Sequence, residues 1–185
     1  MGEYNAQDGE ALKRYIRDIP DFPKKGIVFR DITPLLANSD GYKSAVDLLI
    51  SQLEGMPVDA VAAPEARGFI VGTSVASALG VGFIPIRKPG RLPYNTKSYA
   101  YEKEYGRDTV EMHSDAVSCG DRILLVDDLL AVGGTANACA ELIRKSKGTV
   151  AGMGFLIELD YLGGRESILR ENPDMDIYSV IRYKE

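Results

Sequence analysis

Tyr42, Ala45, Val46, Leu49, Ile50 and Leu53 recur at helical spacing between polar neighbours, the clearest such stripe in the chain. They predict an amphipathic helix capped by Ser39 or Asp40 and ended by Gly55. Leu12, Tyr15, Ile16 and Ile19 carry a shorter stripe that stops at Pro20, predicting an N-terminal helix followed by a loop to Gly26. Predominantly apolar runs at 58–63, 82–86, 123–126, 150–159 and 177–181 predict buried strands. Helices are expected between them: 67–79 stopped by Gly80, 135–145 ended by Gly148, and a short one near 165–170. Largely apolar strands alternating with helices predict an α/β fold, a mainly parallel twisted sheet flanked by helices. Between Lys88 and Met112 the pattern turns to strict alternation, with Tyr99 and Tyr101, then Val110 and Met112. That predicts a β-hairpin or mobile flap over about 92–112, with its tip at 104–108.

Composition narrows the function classes. A length of 185 residues, 45% hydrophobic and 26% charged, fits a single globular domain spanning 1–185. A net charge of −5 argues against general nucleic-acid binding, while leaving room for a local basic patch on a phosphorylated small molecule. Cys119 and Cys139 make no disulfide framework and read as reduced thiols. A polar N-terminus carries no signal peptide, so a cytoplasmic location is expected. Residues 68–86 lack charge, but Gly72, Gly80, Gly82 and Pro85 break them, so no membrane span is expected. His113 has no Cys or His companions at ligand spacing, which argues against zinc.

Chemistry concentrates at 123–135, ILLVDDLLAVGGT. In a parallel α/β sheet, ligands bind where strands end and helices begin. Asp127 and Asp128 are expected at the carboxyl end of a strand, with 131–135 turning into a helix. Glycine-freed backbone N–H groups at a helix start make an anion site, to which the Thr135 hydroxyl adds a donor. Neither the lysine-bearing nucleotide-triphosphate loop nor the G-x-G-x-x-G spacing is present. A phosphate beside two hydroxyls that meet two acids describes a ribose 5-phosphate.

The stretch V-D-D-L-L-A-x-G-G-T resembles the phosphoribosyl-pyrophosphate motif of the type I phosphoribosyltransferases. Phe22-Pro23-x-x-Gly26-Ile27-Val28-Phe29-Arg30-Asp31, Ala66-Arg67-Gly68-Phe69, Ile86-Arg87-Lys88-Pro89-Gly90-Arg91, Tyr101-x-x-Glu104-Tyr105-Gly106-x-Asp108 and Glu158-Leu159…Gly164-Arg165-Glu166 resemble the adenine phosphoribosyltransferase family within that group. The likeness runs in order from about Ile19 to Tyr178. It implies an N-terminal helix and hood over 1–36, a homodimer, Mg²⁺ as cofactor, and conversion of adenine and phosphoribosyl pyrophosphate to AMP and pyrophosphate. The alternatives are a hypoxanthine/guanine or xanthine enzyme, or a non-catalytic regulator that binds phosphoribosyl pyrophosphate. The regulator lacks a basic DNA-binding module before Val28.

By the same resemblance, Asp127 and Asp128 contact the ribose hydroxyls directly or through Mg²⁺, and both are expected to stay ionised. Ala131, Val132, Gly133, Gly134 and Thr135 hold the 5′-phosphate, Val132 standing where the family usually has threonine. Arg67, Arg87, Lys88 and Arg91 bind pyrophosphate, Arg87 acting across the dimer, and a cis peptide is implied at Glu65–Ala66. Val28, Phe29, Arg30 and Leu159 form the adenine pocket. Glu104 moves the purine proton from the flap, and Tyr105 packs over the site. Taken alone, Lys88, Arg91 and Glu104 also read as solvated surface charge, and 27–29 as an edge strand.

Overall fold

The protein, seen in a computed structural model, is described over residues 6–103 and 106–184. The chain opens with α1 (Ala6–Leu12) and a 3-10 turn, then β1 (Arg17–Pro20), β2 (Val28–Asp31), α2 (Thr33–Ala37) and α3 (Ser39–Ser51). It continues through β3 (Ala60–Pro64), α4 (Arg67–Leu79), β4 (Gly82–Ile86), β5 (Thr96–Lys103) and β6 (Gly106–His113). Then come β7 (Arg122–Leu130), α5 (Gly134–Lys145), β8 (Thr149–Leu159), a 3-10 turn, α6 (Gly164–Glu171) and β9 (Ile177–Tyr183).

Five strands form one parallel sheet in the order β4-β3-β7-β8-β9. Their runs are largely apolar because both faces are covered. Leu124 and Val126 of β7 pack with α3 and α4 in one core, whereas Ile123 and Leu125 pack with α5 and α6 in the other. The hairpin of β5 and β6 lies outside this sheet, but its base is part of the second core, where Val110 and Met112 are buried. Backbone bonds between Arg87 and Glu111, 2.8 and 2.7 Å, tie that base to the end of β4. Among the described residues, no helix is long and apolar enough to cross a membrane.

The structure departs from the sequence expectations at four places. The N-terminal helix ends at Leu12, Tyr15 lies in the 3-10 turn, Ile16 is extended, and Ile19 sits in β1 opposite Phe29 of β2, in an antiparallel ribbon. Pro20 accounts for Ile19, because a residue before proline is pushed from the helical to the extended region. The cap of α3 is Asn38, whose Oδ1 accepts from the Gly41 N–H at 2.8 Å, and Ser39 already lies in the first turn. The five residues of α2 are too few to show a period. Finally, β7 continues four residues past Val126, so Asp127 and Asp128 lie inside the strand rather than at its end. Asp127 pairs with Phe155, and Leu130 with Glu158, along β8.

Candidate active site

Where β7 turns into α5, Arg67, Asp127 and residues 131–135 line one cleft of about 230 Å³. Gly133 caps α5 with φ +83°, a backbone that only glycine holds without strain. A Cβ there would lie 2.7 Å from the Gly164 carbonyl oxygen. The first N–H groups of α5 have no partners within the helix and point toward the cleft with the positive end of its dipole. Val132 is 51% exposed on this loop. The Thr135 hydroxyl lies 3.3 Å from that of Tyr101, which joins the 131–135 loop to the hairpin.

Asp127 folds back so that its Oδ1 accepts from the Asp128 N–H at 2.8 Å and packs against Gly68, where a Cβ would be 2.7 Å away. Asp128 is buried and receives the Arg67 Nε at 2.9 Å. Burial pushes both carboxyls above their ordinary range, Asp127 further because of the charge on Asp128, while Arg67 works in the opposite direction. Burial and mutual repulsion thus work against two charges here, and one guanidinium offsets only part of them. Such a pair fits a divalent cation of the Mg²⁺ type, which takes one or two carboxylates and completes its shell with substrate oxygens and water. Among the described residues there is no cluster of three or more His, Cys, Asp or Glu that could form an all-protein cage.

The remaining cations are held by acids that the sequence reading did not assign. Glu65 Oε2 accepts from Arg87 Nε at 2.9 Å and Nη2 at 2.7 Å, and Oε1 accepts from the Lys88 N–H at 2.7 Å. Arg91 approaches the same carboxylate at 3.6 Å. Burial opposes ionisation of Glu65, but these donors outweigh it and hold the carboxyl below its usual range. Lys88 pairs with Asp108 of β6. The peptide between Glu65 and Ala66 is cis. Arg87, Lys88 and Arg91 thus gather around Glu65 and Asp108 next to the cleft rather than along its wall. Glu65 stands immediately before the quoted Ala66-Arg67-Gly68-Phe69 motif, and its position was the available signal.

The ribbon of β1 and β2 carries Val28, Phe29 and Arg30. The Arg67 guanidinium lies 5.1 Å from the Phe29 ring, linking the ribbon to the acid pair. Arg30 pairs with Asp18 at 2.5 Å and stacks 4.0 Å over the Tyr183 ring. Leu159 ends β8 with its side chain buried in the first core. Glu104 and Tyr105 lie outside the described residues.

Residues 37–182 match the family model for the phosphoribosyl transferase domain. The adenine phosphoribosyltransferase of Pseudothermotoga lettingae is 52% identical over 172 residues, covering 93% of this chain and 99% of that one. That of Thermotoga petrophila is 51% identical with the same coverage of both chains. The solved adenine phosphoribosyltransferase of Thermoanaerobacter pseudethanolicus superposes with a TM-score of 0.90 at 50% identity, covering 95% of this chain and 99% of that one. The chain belongs to the adenine phosphoribosyltransferase family. A more distant member from Saccharomyces cerevisiae, solved with an imino-altritol bisphosphate and adenine, keeps a TM-score of 0.88 at 34% identity, covering 96% and 100% of the two chains.

Two predictions follow from family residues in this setting. Because Val132 is exposed on the loop, Val132→Thr adds a hydroxyl without burying it. Phosphoribosyl pyrophosphate should bind more tightly by at most about 1.5–3 kcal/mol, the range for a hydrogen bond to a charged group. Titration calorimetry should show the lower Kd with unchanged thermal stability. Weaker binding, or lost stability with no gain in affinity, would make Val132 a packing residue. The second concerns Glu158, 2% exposed and bonded by Arg165 and by the Ser179 hydroxyl at 2.6 Å. Burial opposes its charge, yet these partners hold its carboxyl below the usual range. Its contribution to stability is therefore complete above about pH 4.3, the unfolded value, and is lost as pH falls through the lower folded value. Melting temperatures across that acid window should fall less steeply for Glu158→Gln than for the parent chain. Parallel curves would remove the assignment.

Proposed function

We propose that this chain makes AMP and pyrophosphate from adenine and phosphoribosyl pyrophosphate, a purine-salvage reaction. The observation that carries the reading is the Asp127–Asp128 pair, Asp128 buried beside Arg67 and Asp127 half-buried at the cleft, feeding directly into the Gly133 turn at the start of α5. In this reading residues 131–135 cradle the 5′-phosphate through backbone N–H groups, and the two acids meet the ribose 2′ and 3′ hydroxyls. Their negative field suits a ribosyl carbon that gains positive charge as its bond to pyrophosphate breaks and its bond to adenine N9 forms. Arg67, Arg87, Lys88 and Arg91 receive the departing pyrophosphate, guanidinium forks matching its oxygens. Mg²⁺, when bound, neutralises charge on the leaving group, and Asp127 and Asp128 with the substrate's oxygens are the ligands that would hold it.

Adenine stacks on Phe29 against Leu159, with its edge read by the main chain of Val28 and Arg30. The support is the ribbon's form: among the described residues β2 pairs with β1 alone, so its outer edge keeps main-chain donors and acceptors for a ligand. Glu104 takes part in removing the N9 proton, and Tyr105 covers the site. A cytoplasmic homodimer, with Arg87 reaching toward the partner's site, completes the reading by family likeness. The test is pyrophosphate release from phosphoribosyl pyrophosphate with adenine, hypoxanthine, guanine and xanthine in turn. Release with adenine supports the reading. Release with another base alone replaces the substrate, and binding without release with any base supports the regulator.

A further inference from the structure

The Glu158…Gly164-Arg165-Glu166 motif has no role in the chemistry described above, yet it touches the phosphate loop from behind. Arg165 is clamped from several sides. Its Nε donates to Glu158 Oε1 at 2.8 Å, its Nη2 to Oε2 at 2.6 Å, and its Nη1 to the Ile177 carbonyl at 3.0 Å. Glu158 lies in β8, and Ile177 and Ser179 in β9, so the guanidinium is fixed to two strands of the sheet. The residue before it, Gly164, begins α6 and lies flat against the loop: a Cβ there would be 2.3 Å from the Ala131 carbonyl oxygen. The contact is reciprocal, since a Cβ on Gly133 would meet the Gly164 oxygen at 2.7 Å. The two turns thus meet backbone to backbone, with the Leu130 and Ser167 side chains packed beside the contact.

We infer that Arg165 is a positioning residue for the 5′-phosphate. Held by Glu158, it fixes the Gly163–Gly164 turn, and that turn is the floor on which the donor groups of residues 131–135 rest. The inference rests on the phosphate-loop reading above. A row of N–H donors aimed at one phosphate is sensitive to displacements well under 1 Å, so the floor matters as much as the loop.

Arg165→Gln removes the clamp without touching the cleft. The expected result is a rise of about tenfold or more in the Kd and KM for phosphoribosyl pyrophosphate, the scale seen when supporting partners of binding groups are lost. KM for adenine should stay close to that of the parent chain. Arg165→Lys keeps the charge but loses the fork, and should recover only part of the affinity. Gly164→Ala reaches the same contact by another route: it leaves the ion pair intact, places a methyl against Ala131, and should also weaken phosphoribosyl pyrophosphate selectively. If Arg165→Gln does not fold, the lysine and alanine variants carry the test. Lower melting temperature with unchanged affinity for phosphoribosyl pyrophosphate overturns the inference, as does equal weakening of both substrates. A parent chain that binds no phosphoribosyl pyrophosphate defeats the phosphate-loop reading itself, which separates the two failures.

Discussion

Adenine should be preferred to hypoxanthine by about 10⁴-fold in kcat/KM, the scale of discrimination when a site's polar groups are left unpaired. Adenine presents a donor at its 6-amino group and an acceptor at N1, whereas hypoxanthine reverses both. In the ribbon Val28 stands opposite Pro20, which has no N–H to donate, so the Val28 carbonyl is not taken by that neighbour, and the outer edge of β2 is left to offer main-chain groups at fixed positions. The side chain of Arg30 secures that backbone through Asp18 and the Tyr183 ring. Hypoxanthine on Phe29 would set donor against donor and acceptor against acceptor, each left without a partner and out of water. Steady-state rates with the two bases at saturating phosphoribosyl pyrophosphate decide the matter. Comparable kcat/KM values would sink the adenine assignment.

Glu104→Gln should lower kcat by about 10²–10⁴-fold, the usual contribution of a positioned proton-transfer group. The Kd for phosphoribosyl pyrophosphate should barely change. Adenine must shed its N9 proton as the new bond forms, and a carboxyl group near the purine can manage that proton where an amide cannot. The flanking strands make a firm base for such a group. They pair from Thr96 with His113 up to Lys103 with Gly106, and Tyr101 ties β5 to Thr135. Val110 and Met112 belong to the core, which anchors the base of the hairpin. Turnover by Glu104→Gln equal to that of the parent chain returns this glutamate to the surface.

The elements most legible in the sequence are those punctuated by residues with one physical meaning. Helix 67–79 and strand 82–86 have the expected bounds because Gly80, at φ +70°, can only end the helix. Strand β7 was harder, since adjacent acids read as the start of a loop. Asp127 remains in the ladder because it pairs with Phe155, a partner 28 residues away that no local pattern names. Ile19 shows the reverse case: Leu12, Tyr15, Ile16 and Ile19 have helical spacing, but the helix ends at Leu12 and the chain becomes extended from Ile16 to pair with β2. In the site, Asp127 and residues 131–135 were legible because motif and loop are contiguous. The pairing of Glu65 with Arg87, 22 residues apart, was not, nor was the closeness of Gly133 to Gly164. Both arise from chain crossings that bring distant turns to the same end of the sheet.

Every cation assigned to pyrophosphate already has a carboxylate: Arg67 has Asp128, Arg87 and Arg91 share Glu65, and Lys88 has Asp108. Under the proposed assignment, an incoming anion does not fall into an empty positive well; it competes with resident acids for these cations. A lone inorganic phosphate meets cations whose charge is already partly neutralised, so the exchange gives it little advantage. A ribose bearing phosphate at one end and pyrophosphate at the other engages the loop, the acids and several cations in one event. Rejection of the abundant small anions of a cell then needs no tighter fit, because the protein itself is the competing ligand.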